Sequence, residues 1–132
     1  MSAVTQDQEI LERNQAMLES VVLGDWNAYA SFCHSDLSCF EAETEGVLAE
    51  GLAFHHFYFQ QPGSAVDVPI SRAQVTMARP HLRWLGNDAV VVSYTRLTQH
   101  WQGGISQTSR CCETRIWQRF DGQWLQVHVH RS

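Results

Sequence analysis

The last third of the chain alternates polar and apolar residues with a period of two, in runs at residues 89–101, 107–120 and 123–131. That spacing belongs to half-buried strands. Gly103-Gly104 and Asp121-Gly122 separate the runs, and two-residue loops of this composition are the strongest local hairpin signals. Loops of that length also fix register. They pair Arg96 with Cys111, Tyr94 with Glu113 and Val92 with Arg115 in the first hairpin. In the second they pair Arg115 with His128 and Glu113 with His130. Directly opposed residues share a face of a sheet. Tyr94, Arg96, Glu113, Arg115, His128 and His130 are therefore expected on one face. The other face carries Val91, Leu97, Ile116, Leu125, Val127 and Val129, diluted by Ser93, Thr95, Cys112 and Thr114. A slip of one residue would exchange the two sets.

Upstream the period lengthens to that of helices. Thr5-Gln6-Asp7-Gln8 reads as a capping box. Ile10, Leu11, Met17, Leu18, Val21 and Val22 follow as an apolar stripe that Gly24 ends. Asp25 can cap a short second helix at residues 26–33. Residues 37–43 alternate like a strand, with a hairpin partner at 46–49 around Thr44-Glu45. Residues 52–59 read as an aromatic-rich helix whose Phe54, Phe57, Tyr58 and Phe59 suit a core better than a ligand box. After the Gln61-Pro62-Gly63-Ser64 break comes a strand at 70–77, continued at 79–85 past Pro80, with a turn at Gly86-Asn87. Helices first and an antiparallel meander afterwards predict an α+β domain, with helices on one face of a curved sheet.

The chain has 132 residues, is 44% hydrophobic and contains five Trp. One domain, residues 1–132, is expected, long enough to bury about 68% of its unfolded surface. The formal charge of −5 points away from nucleic acid and anionic membranes as partners. No apolar run reaches the ~20 residues of a transmembrane helix, and residues 1–8 lack the pattern of a signal peptide. A cytoplasmic location is the expectation. Cys33, Cys39, Cys111 and Cys112 have no framework spacing and read as free thiols. All nine basic residues are arginine. This excludes Schiff-base lysine chemistry and a phosphate-loop or kinase lysine, and leaves planar guanidiniums suited to carboxylates.

Several segments together resemble the association (hub) domain of calcium/calmodulin-dependent protein kinase II, within the nuclear transport factor 2-like superfamily. They are Phe40-Glu41-Ala42-Glu43, Glu50-Gly51-Leu52-Ala53-Phe54-His55-His56-Phe57-Tyr58-Phe59, Tyr94-Thr95-Arg96-Leu97-Thr98-Gln99, Glu113-Thr114-Arg115-Ile116-Trp117, Asp121-Gly122-Gln123-Trp124 and Val127-His128-Val129-His130-Arg131-Ser132. The resemblance implies a cone-shaped fold, N-terminal helices packed on a strongly curved antiparallel sheet with a deep pocket between them. It implies homo-oligomers, dimers at least, that can build rings. It also implies a pocket for small carboxylates, carried here by His55, Arg96 and Arg115, with Tyr58 and Glu113 as lining. His56 stands where the family usually has Arg, and Cys111-Cys112 where it has polar residues. With no kinase domain ahead of Met1, a stand-alone member of bacterial type without kinase activity is expected.

Two readings of the arginine pair stay open. Glu113 can sit between Arg96 and Arg115 as an internal network, or the two arginines can grip a small anionic ligand. The ligand-binding set is then His55, Tyr58, Tyr94, Arg96, Glu113, Arg115 and His128. No cofactor is expected. His128 and His130 have the spacing of two metal ligands on one strand, but they need a third, and hydrogen-bonded histidines are the plainer reading. An alternative function is a small-molecule lyase, isomerase or hydrolase with His55 as general base in the same pocket.

Overall fold

A computed structural model describes residues 5–41, 44–59 and 73–132; within these, the side chains of His55, Phe57, Tyr58, Phe59 and Gln102 lie outside the description. Helix α1 (Gln6–Leu23) opens with the expected box: Thr5 accepts from the Gln8 N–H, and the Gln8 side chain reaches back. It closes on Gly24, whose φ of 66° is the left-handed conformation that glycine adopts without strain. Asp25 caps α2 (Trp26–Ser31) by accepting from the Ala28 N–H. Strand β1 (Cys33–Phe40) follows at once, so α2 is shorter than expected. β2 (Ala49–Glu50) and α3 (Leu52–Phe59) come next, then the long strands β3 (Ala73–Trp84), β4 (Ala89–Gln102), β5 (Ile105–Phe120) and β6 (Gln123–Arg131). The expected strands at 70–77 and 79–85 are one, β3, with a bulge at Arg79-Pro80; residues 70–72 lie outside the described residues.

The sheet order is β2-β1-β6-β5-β4-β3. The α+β order is as expected, but the sheet is mixed, because β1 runs parallel to β6. The first hairpin has the register its Gly-Gly loop demands: Tyr94 opposes Glu113, Arg96 opposes Cys111 and Val92 opposes Arg115.

The second hairpin departs from expectation. It starts in the predicted register, with Phe120 opposite Gln123 and Trp117 opposite Gln126, and then bulges, so that Ile116 meets His128. The extra residue of a bulge shifts every later pair by one. Arg115 therefore opposes Val129, and Glu113 opposes Arg131. His128 and His130 move to the far face, and Val129 enters the core fully buried.

Helix α1 covers the face that carries Arg115. The Trp117 indole N–H donates to Asn14 Oδ1 at 3.0 Å, and Arg13 Nε donates to the Trp124 carbonyl at 2.9 Å. Ile10, Met17, Leu18, Val90, Val92, Trp117 and Trp124 meet there as the core. On the opposite, convex face Val91, Leu97, Ile116 and Leu125 stay only half-buried, and no described element packs over them.

Candidate functional site

Glu113 sits near the middle of β5, flanked through the first hairpin by Tyr94 and Arg96 and along its own strand by Arg115. Alternate residues of a strand project together, and the register adds two cross-strand neighbours, so four polar side chains converge. The Tyr94 hydroxyl donates to Glu113 Oε1. Arg115 Nε donates to the same oxygen at 3.1 Å and to the Tyr94 hydroxyl at 3.0 Å. Arg96 Nη1 lies 2.9 Å from Glu113 Oε2. Behind them, Arg115 Nη1 donates to Gln126 Oε1 at 2.9 Å, and Gln126 Nε2 donates to Cys33 Sγ at 2.8 Å. The network thus runs from β4 through β5 and β6 to β1.

Its electrostatics follow from burial. Glu113 and Arg115 are only 2% and 3% exposed. Burial alone would raise the Glu113 pKa, but the guanidiniums of Arg115 and Arg96, with the Tyr94 hydrogen bond, pull it down to about 2. Burial likewise disfavours the Arg115 cation, and Glu113 more than offsets it, so Arg115 stays charged. Burial lifts the Tyr94 hydroxyl to about 12 and the Cys33 thiol to about 11, keeping both protonated. Glu113 is accordingly too weak a base for proton abstraction. Of the two readings open from sequence, the internal Arg–Glu–Arg network is what occupies the space between Arg96 and Arg115.

A cleft of about 250 Å³ opens beside this network, where β6 ends. Arg96, Thr98, Arg110, Cys111, Arg131 and Ser132 line it. Arg96 faces both ways: Nη1 holds Glu113, while its Nε is buried without a hydrogen-bond partner among the described residues and the side chain stays 18% exposed. Arg131 lies 3.7 Å from Glu41 Oε2. The Cys111 thiol donates to Glu113 Oε2 at 3.6 Å, and burial raises its pKa.

Of the residues singled out by sequence, the structure brings together Tyr94, Arg96, Glu113 and Arg115. His128 does not join them, because the bulge turns it to the convex face. There its Nδ1 lies 2.7 Å from Ser38 Oγ, and burial, then His130, lowers its pKa. His55 and Tyr58 belong to α3, which packs on β1, but their side chains lie outside the described residues. Sequence reasoning missed Gln126 and Arg131 as site residues. Gln126 shares the parity of the predicted polar face and could have been included, whereas nothing local marked Arg131, because Leu125, Val127, Val129 and Arg131 alternate as a regular strand would. No described helix is long and apolar enough to cross a membrane.

Helices followed by a curved mixed sheet, with a polar cluster under the first helix, define a nuclear transport factor 2-like α+β domain. A nuclear transport factor 2-like superfamily protein from Salmonella enterica shares that fold at 18% identity and a TM-score of 0.68, over 95% of this chain and 88% of its own. More specifically, residues 6–132 match the calcium/calmodulin dependent protein kinase II association domain, and the chain belongs to that family. The rabbit calcium/calmodulin-dependent protein kinase type II subunit delta is 40% identical over 126 residues, 95% of this chain, which spans 23% of that relative's length. The hub homology domain of Chlamydomonas reinhardtii is 42% identical with a TM-score of 0.85, over 97% of this chain and 98% of its own.

Proposed function

We propose that this chain is a self-associating hub domain, and that the cleft beside Arg96 takes a small carboxylate. The observation that carries the assembly reading is the convex face. Val91, Ile116 and Leu125 adjoin one another there as an apolar patch with no described element over it, and Leu97 lies further along β4 beyond Ser93 and Thr95. Patches of this kind mark protein contacts, and a twofold copy is the simplest cover because one surface then serves both partners. Membership of an association-domain family supports the same conclusion.

The ligand reading rests on Arg96. Its position beside an open cleft, with a buried N–H that finds no acceptor among the described residues, favours an incoming anion that supplies one. Arg115 does not line the cleft. Its role is to hold Glu113, which in turn orients Arg96, while Arg131 supplies the second cation.

Native mass spectrometry at micromolar concentration tests the first half. A dimer or a larger ring is expected, and a monomer would sink the assembly reading. Titration calorimetry with succinate tests the second half. Binding is expected for the unmodified protein and at least tenfold weaker binding for Arg96→Gln; equal heats for the two would dismiss the cleft as an anion site.

A further inference from the structure

Two of the arginines that line the cleft, Arg96 and Arg131, are held differently. Arg96 Nη1 lies 2.9 Å from Glu113 Oε2, and Glu113 is itself pinned by the Tyr94 hydroxyl and by Arg115. Arg131 Nη2 lies 3.7 Å from Glu41 Oε2. That separation is past hydrogen-bond reach, yet Coulomb attraction falls only as the inverse of distance and still acts across it.

The strand register accounts for both contacts. Arg131 of β6 opposes Glu113 of β5. On the other side of β6 runs β1, parallel to it, with Phe40 opposite His130. Glu41 follows Phe40, so its carboxylate comes alongside Arg131 from that lane. Arg131 thus stands between two carboxylates. Among the described residues Glu113 is engaged by Arg96 and Arg115, and Glu41 is the one in ion-pair range of Arg131.

The backbone at Glu41 is fixed. Thr44 Oγ1 donates to the Glu41 carbonyl at 2.8 Å, and the Thr44 N–H donates to the same oxygen at 3.0 Å. The Glu41 side chain is 8% exposed and that of Arg131 24% exposed. Of the two partners, the guanidinium on its long stem is the one with room to move. A carboxylate arriving at hydrogen-bond distance would hold it more tightly than the 3.7 Å contact does.

We propose that Glu41 is a built-in competitor for the cleft: it and an incoming carboxylate contend for the guanidinium of Arg131. Glu41 thereby sets how tightly the cleft binds. This rests on the small-carboxylate reading and adds the residue that regulates it. Arg131 has two positions, one at Glu41 and one turned into the cleft, and a carboxylate draws it to the second. A neutral ligand of the same shape leaves it with Glu41, so succinamide gains nothing from Arg131. Arg96 takes no part in the exchange, because buried Glu113 holds it. Glu41 touches no ligand and acts through Arg131, as a positioning residue.

The test is titration calorimetry with succinate. Glu41→Gln keeps the volume and removes the charge. It is expected to bind succinate at least fivefold more tightly than the unmodified protein. Glu41→Asp keeps the charge on a shorter stem; it is expected to fall between the two, and it stands in if the Gln variant folds poorly. Arg131→Gln is expected to weaken binding at least fivefold. Adding Glu41→Gln to Arg131→Gln should then change affinity less than twofold, because the contended group is gone. Equal affinity in the unmodified protein and the Glu41 variants would overturn the proposal and leave the small-carboxylate reading standing. The same tightening with and without Arg131 would also overturn it, since Glu41 would then act only as a distant charge. Absence of succinate heats in the unmodified protein and in Glu41→Gln alike would overturn the carboxylate reading and this inference with it.

Discussion

Replacing Glu113 by Gln keeps the volume and removes the charge that compensates Arg115. Arg115 is 3% exposed, with Glu113 as its carboxylate partner at 3.1 Å. Stranding one partner of a buried ion pair costs about 3–5 kcal/mol. The titration of Glu113 gives an independent figure. A carboxyl drawn down to about 2 from 4.5 corresponds to ~3 kcal/mol of folding stability. Because the folded pKa lies below the unfolded one, that contribution is complete above about pH 4.5 and is lost as pH falls towards 2. Urea unfolding at fixed protein concentration, followed by tryptophan fluorescence at pH 7 and at pH 3, reads both effects. Glu113→Gln is expected to lower the pH 7 midpoint by about 2 M, for a slope of about 2 kcal/mol per M. It is also expected to lose less stability than the unmodified protein between the two pH values. A midpoint shift below about 0.5 M, or equal acid losses in the two proteins, would refute the electrostatic account of the network.

Two further variants probe the faces on either side of that network. Asn14→Ala leaves the fully buried Trp117 indole N–H without its acceptor, which costs about 1–3 kcal/mol. Calorimetry should show a melting temperature lowered by several degrees, and an unchanged value would mean that another acceptor takes over. Ile116→Arg places a charge on the convex patch opposite His128. Native mass spectrometry should then find monomers whose circular dichroism spectrum is unaltered, and persistence of the assembly would remove Ile116 from the interface.

The elements that sequence located well are those set by local chemistry. The Thr5 box and Gly24 bound α1 as read, and the Gly103-Gly104 loop set the first hairpin to the residue. Tyr94, Arg96, Glu113 and Arg115 could be grouped because one turn and a period of two decide their common face. What failed was non-local. The bulge in β6 lets Trp124, Gln126 and Val129 all reach the core, a demand of packing against α1 that no turn motif announces. The parallel pairing of β1 with β6 is likewise a matter of tertiary packing, since those strands lie at opposite ends of the sequence. Arg131 was visible as a residue yet assigned to no site, because its face was read one position out.

That bulge also decides which side chains of β6 meet the network. With the same residues in a regular β6 the positions opposite Arg115 and Glu113 would belong to His128 and His130. The inserted residue substitutes Val129 and Arg131, one inert and one cationic at every physiological pH. Deleting Val127, the residue the bulge inserts, would even out the ladder and still leave Val129 opposite Arg115 and Arg131 opposite Glu113. The bulge thus works as a one-residue spacer: it takes up Val127 so that the residues on either side of it, Gln126 and Val129, both reach the core.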